Sequence, residues 1–91
     1  MVDEKKILKA LSDAIYSAVC YDDSDDVYRA FEDNLLEDVG DYDKIEKLYE
    51  ALSDDVYDMA KPIVEMLYKM CDEKAKELLK KRKNDIAKIL G

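Results

Sequence analysis

A helical periodicity over residues 53–71 constrains the fold of this chain more than any other feature. At about 100° per residue, the apolar side chains of this segment fall within an arc roughly 160° wide, and the charged side chains lie opposite. A β-strand would instead place Asp58 and Ala60 on the same face. We therefore expect a core helix here, on which the other segments pack. The apolar arc consists of Val56, Met59, Ala60, Ile63, Val64, Met66, Leu67, Met70 and Cys71.

Apolar stripes at helical spacing recur along the rest of the chain and are separated by clusters of aspartate. Aspartate is a poor residue inside a helix and a good one at its start, so these clusters indicate helix beginnings. Of the 91 residues, 48% are hydrophobic and 42% charged, which suits one helical domain over 1–91. We predict an all-α bundle of four to five helices, spanning about 3–19, 24–39, 42–52, 54–71 and 73–90.

Two helix boundaries stay open. The apolar stripe passes Ser53 without a break and keeps its phase across Pro62, so 42–71 is either one kinked helix or two helices. The constant phase favours the kink. Beyond Cys71 the stripe rotates by about one residue. Asp72 therefore either starts a new helix or marks where a long helix meets a new partner.

The pentapeptide Ser-Asp-Asp-Val-Tyr occurs twice, at 24–28 and 53–57. It is either a favourable helix start used twice or the trace of a duplicated hairpin. The second copy is similar to the short third-helix segment of colicin-nuclease immunity proteins, which are acidic four-helix inhibitors of basic nucleases. Asp58 stands where that family has a second Tyr, so the resemblance assigns no functional residue here.

Few kinds of catalytic or metal chemistry fit this composition. The chain has no His, two glycines and two cysteines, so it has neither zinc-ligand spacing nor a phosphate-binding loop. Cys20 and Cys71 are expected to be small apolar side chains in a reducing cytoplasm, or else a disulfide across 51 residues. The acids at 22–26 resemble an EF-hand start, but Val27 stands where that loop needs Gly. We expect no catalytic residue, metal or cofactor.

The first residues, MVDEKKILKALSD, carry acids early and contain no long apolar run, so we do not expect a secretory signal. No stretch approaches about 18 apolar residues, the length needed to span a membrane. We therefore expect a cytoplasmic protein without a membrane span.

Charge is distributed unevenly along the chain. Residues 12–73 carry 19 acids and 5 bases, whereas residues 74–91 carry 2 acids and 7 bases. An acidic body with interleaved tyrosines would attract a basic partner and offer it rigid aromatic anchors. The candidate contact residues are Tyr21, Asp22, Asp23, Asp25, Asp26 and Tyr42, followed by Asp54, Asp55 and Asp58.

These features predict a non-catalytic protein-interaction module that binds a basic protein. It could be an inhibitor, an immunity-type or antitoxin-type protein, or a mimic of nucleic-acid charge of viral or plasmid origin. One alternative is a homo-oligomeric assembly subunit joined through an apolar face that includes Leu36, Leu79 and Leu90. Another is a nucleic-acid-associated protein that uses Lys76, Lys80 and Lys83 on the basic C-terminal helix.

Overall fold

Five helices and no strand make up the part of the chain that the structure, a computed structural model, describes: residues 3–21, 23–63 and 68–90. The predicted all-α bundle is confirmed. The helices are α1 (Glu4–Cys20), α2 (Ser24–Val39), α3 (Tyr42–Ala60), α4 (Tyr68–Lys81) and α5 (Lys83–Leu90).

Aspartate caps the first three helices, and the aspartate clusters correctly predict the starts of α2 and α3. Asp3, Asp23 and Asp41 have extended backbone, and the side chain of each accepts a hydrogen bond from the backbone N–H two residues later, at 2.9–3.0 Å. These bonds satisfy amide groups that have no partner inside the helix. Ser24, which begins the first pentapeptide, is the first residue of α2, and Asp23 occupies the capping position.

The predicted boundaries around Ser53, Pro62 and Asp72 need correction. Helix α3 continues through Ser53 and ends at Ala60, and a turn follows at Lys61 and Pro62. The prediction of one helix over 54–71 is therefore wrong, and so is the favoured kinked helix over 42–71. The second pentapeptide lies inside the 19-residue α3, whereas the resemblance to immunity proteins implies a short helix.

The segment 64–67 lies outside the described residues, and so do Val64, Met66 and Leu67 of the predicted arc. Beyond it, α4 runs through Asp72 without a break. A turn at Arg82 then separates α4 from α5. Asp72 therefore does not start a new helix, and the predicted single helix over 73–90 is wrong, because it divides at Arg82.

Helix α1 has the most extensive packing in the bundle, a role that the sequence assigned to residues 53–71. It contacts α2, α3 and α4, and eight of its residues are buried, compared with five on α3. Small side chains at Ala10, Ala14 and Ala18 recur every four residues and are buried, so neighbouring helices can approach closely on that side. The large core residues Leu11 and Ile15 lie beside them and are fully buried.

Polar side chains also connect the helices. Ser12 is buried on α1, and its hydroxyl donates a hydrogen bond to Asp72 of α4 at 2.5 Å. Asn34 of α2 donates to Asp13 of α1 at 2.9 Å. Asp55 of α3 accepts from Arg82, between α4 and α5, at 2.6 Å. Since each bond joins different helices, together they fix how α2, α4 and α5 are placed around α1 and α3.

Among residues 3–21, 23–63 and 68–90, no helix has both the length and the apolar character needed to cross a membrane.

Gly40 ends α2 with φ +64°, the left-handed conformation that favours glycine, and its N–H donates to the carbonyl of Leu36 at 2.9 Å.

We expect Gly40→Ala to lower the free energy of unfolding by about 1 kcal/mol. No atom lies within 4 Å of the position that a Cβ would occupy, so strain in the backbone would be the only cause. Urea unfolding followed by circular dichroism measures this change. Gly40→Asn is the matched control and should lose less, because asparagine tolerates this conformation. Equal losses in the two variants would contradict the explanation.

Candidate functional site

Tyr21 and Tyr42 were predicted as contact residues, and they are the exposed large hydrophobic side chains of the described chain. Tyr21, at the end of α1, is 66% exposed, and Tyr42, the first residue of α3, is 61% exposed. Burial in the core therefore does not account for either ring. An exposed ring with a polar tip is common at protein interfaces.

The predicted acids of the α2 start lie close together in sequence and in space. Asp23 caps the helix, and Asp25 and Asp26 occupy its first turn, all three with exposed side chains. Asp22 lies outside the described residues. Negative charge in a first turn stabilises the helix through its dipole, so part of this acidity already has a structural role.

The second predicted acid group, on the C-terminal half of α3, divides into three different environments. Asp54 is exposed. Asp55 has a side chain only 14% exposed, and its carboxylate lies 2.6 Å from Arg82 Nε and 3.9 Å from Lys81 Nζ. Asp58 pairs with Lys61 at 3.5 Å on the surface. Asp55 and Asp58 thus have basic partners within the molecule, whereas Asp54 forms no ion pair with another described residue.

Between α2 and α3 lies a surface groove of about 470 Å³, which we call the α2–α3 groove. The two helices bring tyrosines and carboxylates together there from both sides. Of its lining residues, only Asp25 belongs to the predicted contact set. The groove is lined by Ser24, Asp25, Tyr28, Glu46, Tyr49 and Glu50.

Two tyrosines form the apolar part of this groove. The rings of Tyr28 and Tyr49 meet edge to face, with centroids 4.9 Å apart and planes at 74°. Phe31, buried beneath, lies 5.6 Å from Tyr49. Edge-to-face contact is a favoured arrangement for aromatic pairs, so the core holds these rings in fixed positions.

The electrostatic environment of the groove is negative. The pKa of Tyr28 is raised to about 12, first by burial and then by its hydrogen bond to Glu32 and the charges of Glu32 and Glu46. The pKa of Tyr49 is also raised, by burial and by its hydrogen bond to Tyr57. Both phenols therefore stay neutral at physiological pH, and an additional negative charge beside them is disfavoured.

The acids of α2 have no basic partner within the described chain. Helix α2 carries six acids and one base, Arg29, and none of these seven residues forms an ion pair with another described residue. Glu46 and Glu50 of α3 likewise form no ion pair there. The cations that do form ion pairs lie on α1, just after α3, on α4 or at the turn between α4 and α5. Arg29 lines a groove with Asp25 and Glu32 but forms no ion pair with another described residue. The acids beside the groove are therefore not held in ion pairs within the described chain.

Tyr28, Tyr49, Glu46 and Glu50 are not among the contact residues predicted from the sequence. The two tyrosines are half-buried at the edge of the core, and they also line the groove. One signal was present: on α3, Tyr42, Glu46 and Glu50 recur every four residues and so share one helix face.

The structure also brings together the three lysines of the nucleic-acid alternative. Lys76 and Lys80 of α4 and Lys83 of α5 line one shallow groove of about 180 Å³, together with Glu4 and Leu79. All three lysines are exposed. They therefore form a continuous basic patch across the junction of two helices.

The three leucines of the homo-oligomer alternative do not form a separate exposed face. Leu36, Leu79 and Leu90 are half-buried and pack against the hydrophobic core. Assembly of this chain with itself stays a prediction.

Neither Cys20 nor Cys71 forms a disulfide in this structure. Cys71 is buried, and burial raises the pKa of its thiol, an effect that nearby Cys20 and Asp72 strengthen. A thiol held protonated in this way is a poor nucleophile. Among the described residues, no group of three or more His, Cys, Asp or Glu side chains could hold a metal ion.

No family model, no curated protein and no solved structure matches this chain. Inference about its function therefore depends on the residues and their geometry.

The raised pKa of Tyr28 predicts how stability changes in alkaline solution. The ordinary pKa is 10.0 and the folded value about 12, so the folded state keeps a proton that the unfolded state releases in this window. The protonated Tyr28 hydroxyl therefore makes its full contribution to the free energy of unfolding below pH 10, and this contribution is lost as the pH rises toward about 12. Between about pH 9 and 11, we expect the wild type to lose more unfolding free energy than Tyr28→Phe, as measured by urea unfolding at each pH. If the difference in unfolding free energy between wild type and Tyr28→Phe does not change with pH, this explanation is wrong.

Proposed function

We propose that this protein is a non-catalytic interaction module that binds a basic protein through the α2–α3 groove and the acidic residues around it. The binding residues of this proposal are Asp25, Tyr28, Glu46, Tyr49 and Glu50, with Tyr42 beside them. Inhibition of the basic partner, including the masking of a surface that binds nucleic acid, is the role that suits such a module best.

The observation that carries the proposal is the absence of ion pairs among the acids of α2 and of the adjoining part of α3, within the described residues. Carboxylates held together without counter-charges repel one another and reduce the stability of the fold. A cationic partner would remove this repulsion. The same charges would also accelerate the encounter, by an amount that falls as salt is added.

The tyrosines support a protein partner in particular. Tyr28 and Tyr49 are held by the core, so little side-chain entropy is lost when a partner covers them. Tyr42 adds an exposed ring on the same face of α3 as Glu46 and Glu50. A rigid aromatic centre inside a charged rim is the usual arrangement of an interface hot spot.

The proposal can be tested by affinity capture from extract of the source cells, with quantitative mass spectrometry of the bound proteins. Wild type is compared with Glu46→Gln/Glu50→Gln, which removes two charges from the groove. The matched control is Glu37→Gln/Asp38→Asn, which removes two exposed charges near the other end of α2.

We expect wild type and control to capture the same basic protein and to release it as salt rises to about 0.3 M. The groove variant should retain several-fold less of it. If the two double variants bind equally, or if the captured protein is acidic, the proposal is wrong.

A second candidate function is supported by the basic patch of Lys76, Lys80 and Lys83, which lie on two helices but line one groove. Such a patch could contact the phosphates of a nucleic acid, although the patch contains no Arg and no aromatic side chain. The acidity of the remaining surface opposes this function, so it ranks below the first.

A mobility-shift titration with duplex DNA at low salt tests this second candidate. If the patch binds phosphates, the triple variant Lys76→Glu/Lys80→Glu/Lys83→Glu should abolish the shift. Lys5→Glu/Lys44→Glu/Lys47→Glu makes the same charge change at exposed lysines elsewhere and should preserve it. No shift with the wild type, or equal loss in both variants, would exclude a role for the patch.

A further inference from the structure

Tyr28 has open space on two sides. It lines the α2–α3 groove with Glu46 and Glu50, and it also lines a second surface groove of about 240 Å³ together with Asp25, Arg29 and Glu32. Because its contact with Tyr49 is edge to face, neither ring is stacked flat against the other. Its hydroxyl is hydrogen-bonded to Glu32. The two grooves leave open volume beside the ring in which a planar group can be placed.

The chemistry beside this ring selects a cation. Glu46 acts on the Tyr28 hydroxyl strongly enough to contribute to its raised pKa, and Glu50 lines the same groove. Neither carboxylate has a cationic partner among the described residues. The face of an aromatic ring is itself negative, so ring and carboxylates attract the same kind of group.

A metal ion does not fit this site. No set of three carboxylates in the described chain lies close enough to hold one, and a hard divalent cation needs six or more oxygen ligands. The groove instead offers about 470 Å³ of open volume with one aromatic wall. Space of this kind suits an organic cation with a flat apolar surface.

Arginine satisfies these requirements better than lysine. Its guanidinium is planar, stacks on an aromatic ring and donates hydrogen bonds from its edge to carboxylates at the same time. The lysine ammonium is a compact and strongly hydrated point charge that has no flat surface to stack.

We propose that the α2–α3 groove receives an arginine side chain of the basic partner, stacked on Tyr28 and hydrogen-bonded to Glu46 and Glu50. This inference rests on the proposed function and specifies the chemical group that the groove recognises. Tyr28 supplies the selectivity for arginine, and the two glutamates supply charge.

The experiment compares two synthetic peptides of equal length and charge, one with four arginines and one with four lysines, each spaced by glycine and serine. Binding to the full chain is measured by NMR titration of ¹⁵N-labelled protein at low salt. The variants are Tyr28→Leu, which keeps an apolar side chain without a ring, and Tyr28→Phe, which keeps the ring. The chemical-shift spectrum of each variant also reports whether it is folded.

We expect wild type and Tyr28→Phe to bind the arginine peptide about three- to fivefold more tightly than the lysine peptide, a ratio typical of a stacked cation at a surface. Tyr28→Leu should bind both peptides with nearly equal affinity. The largest shifts should fall on the residues that line the groove.

Each other outcome overturns a defined part of the proposal. Equal binding of the two peptides by wild type, or an unchanged ratio in Tyr28→Leu, overturns arginine selectivity and leaves the proposed acidic interaction standing. If Tyr28→Leu does not fold, the other variants decide. Loss of the arginine-over-lysine affinity ratio in Tyr28→Phe, which keeps the ring, would overturn the role of the ring. Loss of that ratio only in Glu46→Gln/Glu50→Gln would assign the selectivity to the carboxylates instead. Failure of both peptides to bind wild type overturns the inference together with the proposed function.

Discussion

The burial of α1 against three other helices is the contact on which the rest of the structure depends. Its alanines and buried serines permit close approach, and Leu11 and Ile15 fill the space between the neighbouring helices. Hydrogen bonds to carboxylates connect this helix to its neighbours: Asn34 of α2 donates to Asp13, and Ser12 donates to Asp72 of α4. A chain of this size buries only about 60–65% of its unfolded surface, so a helix that is buried on most sides contributes disproportionately to stability.

Most of the fold follows from the sequence because helix period and capping are local properties. The apolar spacing predicted the helices, and the aspartate clusters at 22–26 and 41–43 predicted where α2 and α3 begin, whereas the clusters at 54–58 and 72 lie inside helices. The centre of the bundle could not be predicted in the same way. Hydrophobicity ranks the large side chains of 53–71 above the alanines of α1, yet burial depends on how closely helices approach, which small residues allow.

The end of α3 was missed for a related reason. Constant apolar phase across Pro62 is compatible with one helix and equally with two helices whose faces both point to the core. Only tertiary packing distinguishes them. The Ser53 copy of the pentapeptide shows the same limit, because a good capping sequence does not interrupt a helix whose buried stripe, here Leu48, Leu52 and Val56, continues through it. The groove could not be predicted either, because it forms only where the faces of two helices meet. Of its lining residues the sequence identified only Asp25, together with Tyr42, which lies beside the groove.

The separation of acids from bases has a consequence for how the molecule turns in solution. Helix α2 packs on α1 and α3, while the lysine-rich α4 and α5 pack elsewhere on the same two helices and have few or no contacts with α2. A particle 35 Å long with negative and positive flanks has a large electric dipole moment. Near a cationic surface such a particle experiences a torque that orients its negative flank forward before contact. If the proposed basic partner binds the negative flank, a larger share of collisions would begin in a productive orientation, which would raise the association rate without any additional contact in the bound complex.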